Sequence, residues 1–405
     1  MIKVAVVGQG YVGLPLAIQA SEAGNKVVGY DNNQEKILEI NQGRFEIPGL
    51  DSELIISLIA ENRFKATYDP SDISDSDIVI LAVPTPLGKD GKPDTSVLEQ
   101  AAGTVAKYCK PTALIINEST SYPGTLRNLI QPIFNSKSAS NLLFAAAPER
   151  VDPGNTKWDL VNTPRVISGL TTDATQKAVL FYKTFCSTVH EVSSPEVAEA
   201  SKLFENTFRM VNIALANELA EISNKLGFST HEAIAAASTK PFGFMPFYPS
   251  IGVGGHCIPI DPMYLSDVAK RAGADSSLID LAQNINSAMP KNTVKRVKLE
   301  LDNELGNKRI QLVGLAYKSN ISDLRESPAL ELLHELRAAG AIVSWHDPIV
   351  GQYGEESSKE LDENIDLGII LTPYDEIDFS KWKKSAVKVL DLSASSKNYG
   401  WPKSF

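Results

Sequence analysis

Cys257 stands in the run Gly252-Val253-Gly254-Gly255-His256-Cys257-Ile258-Pro259-Ile260-Asp261-Pro262, directly after a glycine-rich turn and four residues before a carboxylate. That setting suits covalent chemistry: a thiolate is a strong nucleophile, glycines such as Gly254 let a substrate approach the backbone, and Asp261 can activate a water. The competing reading is an inert small hydrophobe, which a lone cysteine more often is. In an extended segment His256 points away from the thiol, so it reads as a structural or backbone-bonding group rather than a Cys-His partner. One Cys, one His and one Asp within six residues lack the spacing of a structural zinc site, and no metal is expected.

Lys202 and Asn206 form a second constellation, with Glu199 and Arg209 nearby on the same helical face. A cation and a neutral amide placed so can stabilise an alkoxide or oxyanion; the alternative is a solvated polar stripe. Ser194 reads as an N-cap followed by Pro195 at the first helical position, and neither Gly nor Pro recurs until Gly227. The implied helix of about 32 residues, roughly 48 Å at the standard rise, is longer than one small domain needs. It is expected to join two domains and to supply a subunit interface.

Gly8-Gln9-Gly10-Tyr11-Val12-Gly13 follows a strand at Lys3 to Val7, opens a helix, and precedes Asp31 at the end of the next strand. Gly8 permits the tight turn, Gly10 lets the backbone reach a pyrophosphate at the helix N-terminus, and Gly13 allows close helix packing. Asp31 suits a ribose 2′-hydroxyl and repels a 2′-phosphate, so the cofactor reads as NAD rather than NADP. Further strands at Ile78 to Val83, Ala113 to Asn117 and Leu142 to Ala146 imply a parallel sheet with helices on both faces. Ligands gather at the carboxyl edge of such a sheet. There lie Pro84 and Thr85, whose run reads equally as a strand stop; Thr120, able to orient a water or a substrate oxygen; and Glu149 with Arg150, for which a surface ion pair is the alternative.

A second alternating unit begins near Arg309, with strands at Ile310 to Leu315, Ala341 to His346, Leu367 to Leu371 and Val387 to Leu392, and a helix capped by Ser327-Pro328. Its loop Tyr317 to Pro328 carries Lys318 and Arg325, two cations suited to a phosphate-bearing ligand. The expected domains are 1–194, 195–300 and 301–405. A net charge of -10 argues against nucleic-acid and anionic-membrane partners. The N-terminus has no signal-peptide pattern, no run of 18 apolar residues occurs, and three scattered cysteines form no disulfide set. A cytoplasmic, reducing compartment is expected.

In order along the chain, GQGYVG, PTP, EST followed by PG, PER, EASKLFENT, GVGGHCIPIDP and YKSNISDLRESP resemble the UDP-glucose/GDP-mannose dehydrogenase family over nearly the whole sequence. The resemblance implies an α/β fold of two Rossmann-like doubly wound domains joined by a long central helix and a helical middle domain. It also implies a homodimer, a role in polysaccharide biosynthesis, and oxidation of the C6 hydroxyl of a UDP-sugar to a carboxylate with two NAD. Cys257 would be the nucleophile; Lys202 and Asn206 would hold the sugar oxygen and the thiohemiacetal oxyanion. Thr120, Glu149 and Asp261 would position water and act as base, Lys318 would reach the nucleotide sugar, and Arg325 would close over NAD. The stretch Ser238 to Pro249, with Phe247 and Tyr248, and the run Asn206 to Ile213 look most like members acting on UDP-N-acetylhexosamines. UDP-N-acetylglucosamine is preferred to UDP-N-acetylmannosamine, with UDP-glucose third. Pro249-Ser250-Ile251-Gly252 departs from the family's P-G-P-G. The rival readings are a two-electron hydroxyacid dehydrogenase, which has no use for Cys257 or Asp261, and a non-catalytic NAD-binding regulator.

Overall fold

A computed structural model describes residues 1–45, 47, 50–136, 141–152, 155, 157–394, 397 and 399–405. The chain divides into two compact units: Met1–Glu205 with Met263–Gly273, and Asn206–Pro262 with Ala274–Phe405.

The first unit is built on β1 (Lys3–Val7), β2 (Lys26–Tyr30), β3 (Phe64–Thr67), β4 (Ile78–Leu81), β5 (Leu114–Asn117), β6 (Leu143–Ala146), β7 (Arg165–Gly169) and β8 (Val189–Glu191). Their order across the sheet is β3-β2-β1-β4-β5-β6-β7-β8. The central strands are apolar at nearly every position because both faces are covered. Val4, Val6, Ile78, Ile80, Leu114 and Ile116 pack into one core, while Ala5, Val7, Val79, Leu81 and Ile115 pack into the other. The sheet is not wholly parallel, since β6 and β7 pair antiparallel. β3, β7 and β8 also lie outside the strands expected from sequence. The order changes direction between β1 and β4, which opens the crevice where such sheets bind dinucleotides.

The helix Pro195–Leu226 has 32 residues, as its freedom from Gly and Pro implies. In the second unit it is followed by the helices Thr230–Ala237 and Ser277–Glu300. A smaller sheet then forms from β9 (Arg309–Val313), β10 (Ile342–His346), β13 (Leu367–Ile370) and β14 (Val389–Asp391), with a two-stranded hairpin of β11 (Gln352–Tyr353) and β12 (Glu356–Ser357) beside it in the chain. The order β10-β9-β13-β14 is parallel throughout. With β10 on one side of β9 and β13 on the other, the order reverses at β9 as in a small doubly wound sheet. Ser327 caps the helix Pro328–Ala338, its side chain accepting from the Ala329 N–H, as the Ser-Pro signal predicts.

Candidate active site

In the first unit each glycine of the opening fingerprint has its own steric reason. Gly8 has φ +93°, and a Cβ there would lie 2.3 Å from the Ala82 carbonyl oxygen at the end of β4. A Cβ on Gly13 would lie 1.8 Å from the Gly8 oxygen. Gly10 faces open space, with nothing within 4 Å of its would-be Cβ. No side chain caps the helix Gly13–Glu22 behind it, as is also true of Ser96–Tyr108, whereas Asn33, Asp51 and Thr171 cap other helices of this unit. An uncapped helix start behind an open glycine fits a pyrophosphate. Asp31 is buried at the end of β2 and accepts from the Gln9 and Asn33 N–H groups and from Lys36 Nζ at 2.9, 3.0 and 2.9 Å. Tyr11 is exposed, and Val12 is the last residue before the helix.

At the carboxyl edge, Thr85 and Thr120 are buried, and Pro84 lies between Val83 and Thr85. Tyr264 Oη donates to the Pro86 carbonyl at 3.0 Å, tying down the Pro84-Thr85-Pro86 run. Ser119 Oγ accepts from the Val83 N–H at 2.9 Å and so joins that run to the Thr120 loop. Glu149 is 8% exposed, which rules out the surface ion pair; its carboxylate accepts from the Val151 N–H. Arg150 instead pairs with Glu205 at 2.6 Å and donates to the Pro164 carbonyl. Lys202 is 7% exposed and Glu199 1%, so these two are not part of a solvated stripe, whereas Arg209 is exposed.

Glu118 was overlooked as a functional group. Its buried carboxylate accepts from Arg165 Nη1 at 3.3 Å and from the Tyr182 hydroxyl, and the guanidinium lies over the Tyr182 ring at 5.1 Å. Burial raises the Glu118 carboxyl and pushes the Tyr182 phenol well up, while the Glu118 carboxylate holds Arg165 firmly protonated against its own burial. Glu149 and Lys202 also act on Glu118, the one raising and the other lowering it, so both lie within its electrostatic reach. The available sequence signal was Arg165, a charge opening a mostly apolar strand.

In the second unit the Cys257 segment is a turn, not an extended run, because Gly252 and Gly255 have φ of +126° and +81°. This removes the alternation argument made for His256, which instead lies near Asp323 and helps lower it. The Cys257 carbonyl accepts from the Asp261 N–H at 2.8 Å, and the helix Asp261–Arg271 begins there. Of the three cysteines, Cys257 is exposed, Cys186 is buried and Cys109 is half-buried. Asp261 is fully buried, and its Oδ2 accepts from Asn206 Nδ2 at 2.6 Å.

Gly254 and Gly255 admit protein rather than leave room over the backbone. A Cβ on Gly254 would meet the Glu326 oxygen and Tyr317 Cβ at 2.7 Å and Pro328 Cδ at 2.9 Å; one on Gly255 would meet the Tyr317 ring at 2.7 Å. The Gly255 N–H donates to the Arg325 carbonyl at 3.0 Å. Arg325 itself is engaged within its loop, its guanidinium bonded to both oxygens of Asp323 at 2.6 to 3.0 Å. Burial alone would raise Asp323, but those hydrogen bonds hold its carboxyl below the usual range. Lys318 is half-buried in the same loop. Phe247 packs edge-on against Phe208, and Tyr248 stacks on His231 at 5.2 Å between ring centroids.

Where the expected P-G-P-G departs, Ser250 and Ile251 have structural employment. The Ser250 N–H donates to Asn217 Oδ1 at 2.8 Å, its Oγ donates to the Gly252 carbonyl at 2.7 Å, and Ile251 is 4% exposed within the core of the second unit.

Three successive domains of the UDP-glucose/GDP-mannose dehydrogenase family match this chain: the NAD binding domain at residues 2–186, the central domain at 196–288 and the UDP binding domain at 311–394. The chain belongs to that family. It is 38% identical over 392 residues to a UDP-N-acetyl-D-mannosamine dehydrogenase of Pyrococcus horikoshii, covering 94% of this chain and 92% of that one. It is 36% identical over 360 residues to a UDP-N-acetyl-D-glucosamine 6-dehydrogenase of Pseudomonas aeruginosa, covering 86% and 83%. Among solved structures, a UDP-D-ManNAc dehydrogenase from Pyrococcus horikoshii matches with TM-score 0.88 at 33% identity, covering 99% of this chain and 98% of that one. As a family member the chain is an NAD-dependent oxidoreductase acting on a UDP-sugar. Among the described residues no helix is long and apolar enough to cross a membrane.

Proposed function

We propose that this family member oxidises the C6 hydroxyl of a UDP-N-acetylhexosamine to the uronate in two steps on one enzyme, with Cys257 holding the carbon between them. The observation that carries the reading is the pairing of Asn206 with buried Asp261, one helical turn beyond an exposed thiol. A two-electron hydroxyacid dehydrogenase has no use for that arrangement. Relatives named for N-acetylmannosamine and N-acetylglucosamine support the sugar class.

Gly8, Gly10, Gly13 and Asp31 would hold NAD, and two NAD bound in succession would supply the oxidising power, each taking up one hydride. Lys202 and Asn206 hold the C6 oxygen as its proton leaves. The Cys257 thiolate adds to the aldehyde carbon, forming a C–S bond, and the same two residues stabilise the resulting oxyanion. The second oxidation leaves a thioester. Thr120 and Glu149 position a water, Asp261 takes its proton, and attack on the carbonyl breaks the C–S bond and returns the thiolate. Lys318 holds the nucleotide, and Phe247 and Tyr248 flank the sugar. The tether prevents escape of the aldehyde.

Two NADH per sugar consumed is the expected stoichiometry, and one would overturn the reading. A panel of UDP-N-acetylglucosamine, UDP-N-acetylmannosamine and UDP-glucose identifies the sugar; turnover of UDP-glucose alone removes the N-acetylhexosamine assignment. Cys257→Ser is expected to abolish uronate formation while leaving NAD affinity intact.

The assembly proposed is a homodimer. Phe204, Phe208, Leu215, Ile222 and Leu226 recur along the long helix at spacings of four and seven, and Phe204, Leu215 and Leu226 are 67%, 61% and 71% exposed. A stripe of that period suits a second copy of the same helix. Light scattering giving twice the chain mass supports it, and a monomer at micromolar concentration rejects it.

A further inference from the structure

The scheme above gives no task to the buried carboxylate of Glu199. Glu199 is 1% exposed, and its two oxygens accept from the backbone N–H groups of Gly124 at 2.6 Å and Leu126 at 2.9 Å. Those groups open the helical segment that follows the Thr120 loop, where an anion is favoured. The other end of the loop is pinned by Ser119, between the Val83 N–H and the Leu81 carbonyl. Glu199 also lies one turn before Lys202 on the long helix. It therefore ties the downstream end of the Thr120 loop to the helix that carries Lys202, all within the first unit.

We propose that Glu199 is a positioning residue, whose ionised carboxylate sets the Thr120 loop in register with Lys202 and whose protonation loosens that register. The proposal rests on the roles given above to Thr120 and Lys202. An ionised carboxylate offers an acceptor oxygen to each N–H, whereas a protonated one turns a hydroxyl toward a donor it cannot satisfy. Burial, opposed by the backbone N–H groups, pushes the Glu199 carboxyl up to about 7. The charged groups facing it are Glu196 on its own helix, which raises it further, and Arg127 on the helical segment opposite, which Glu196 pairs at 2.7 Å. Lys202 follows on the next turn. The change of state therefore falls in the neutral range.

The test follows kcat and KM of the full-length enzyme from pH 5.5 to 9 for the wild type and Glu199→Gln, whose amide mimics the protonated form. The wild type is expected to show an acid limb in kcat centred near 7. In Glu199→Gln that limb should vanish and kcat should stay about tenfold or more below the wild-type plateau, with sugar KM and NAD affinity changed by less than about twofold. In the wild type alone, amide-exchange protection of residues 118–130, corrected for intrinsic rate, should fall on going from pH 8 to pH 6. That measurement needs no variant to fold. An unchanged acid limb in Glu199→Gln, or constant protection across that range, overturns the proposal. If Thr120 and Lys202 variants prove silent while protection still follows pH, the assigned roles fail and the Glu199 contact stands.

Discussion

Asn206 and Asp261 are joined by a hydrogen bond of 2.6 Å, so a carboxylate buried at the start of one helix is fixed by an amide on another. The bond settles which way Asp261 Oδ2 faces and keeps the amide plane from turning. In the proposed scheme Asp261 takes a proton only at hydrolysis, after both oxidations are complete, and an asparagine there keeps an acceptor oxygen for Asn206. Asp261→Asn should therefore release two NADH in a first turnover and then stall, with turnover down by about 10²–10⁴. Intact-mass measurement should find the sugar acyl group on Cys257. Steady-state turnover within twofold of the wild type would remove Asp261 from the hydrolytic step.

The cofactor prediction concerns Asp31. Removing its carboxylate by Asp31→Ala deletes the acceptor for a ribose hydroxyl and the charge that disfavours a 2′-phosphate. KM for NAD should rise about tenfold, the size of one lost charge-assisted hydrogen bond, and NADP should become a measurable cofactor. Retained NAD affinity with NADP still excluded would place the ribose elsewhere.

Gly254→Ala tests the tight contact between two loops. The added methyl would meet the Glu326 oxygen, Tyr317 Cβ and Pro328 Cδ, all below 3 Å, and should cost about 1–3 kcal/mol of stability by overpacking. Because the displaced loop carries Lys318, KM for the UDP-sugar should rise while NAD affinity is unchanged. Equal losses for both ligands would show a general collapse instead.

Arg165→Met strands Glu118 in the core. Their side chains are 3% and 0% exposed, and loss of one partner of a buried pair costs about 3–5 kcal/mol. Burial raises the Glu118 carboxyl in the folded protein, so its protonated form stabilises the fold below the ordinary carboxylate range, and that contribution is lost as pH rises through the folded value. Removing the countercharge extends the loss. The melting temperature of Arg165→Met should therefore lie further below that of the wild type at pH 8 than at pH 5; an equal gap at both would mean that Glu118 stays neutral throughout.

Legibility in the sequence followed how far each feature depends on its neighbours. Gly8, Gly10 and Gly13 were readable because a tight turn before a helix restricts residue type locally, and the long helix because the absence of Gly and Pro over 31 residues is itself a signal. The Glu118–Arg165 pair was not readable, since its members are 47 residues apart and the charge that opens the Arg165 strand does not name its partner. The extended reading of Gly252 to Cys257 failed because positive φ at Gly252 and Gly255 leaves no mark beyond the glycines. β7 and β8 escaped for a different reason: β7 joins the sheet antiparallel to β6, outside the strand-helix alternation that revealed the others, and β8 has only three residues. Ser250 and Ile251 looked like a disturbance of the sugar loop, and only their hydrogen bonds and burial show what they do.

The close seating of Gly254 and Gly255 on Tyr317 makes the thiol loop and the Lys318 loop a single heritable cassette. A grafted Lys318 loop with a different residue at Tyr317 would arrive without the socket its host glycines are shaped for. A change in one loop is thus constrained by the other, and transplanting either loop from a relative should succeed only when residues 252–257 and 317–328 are exchanged together.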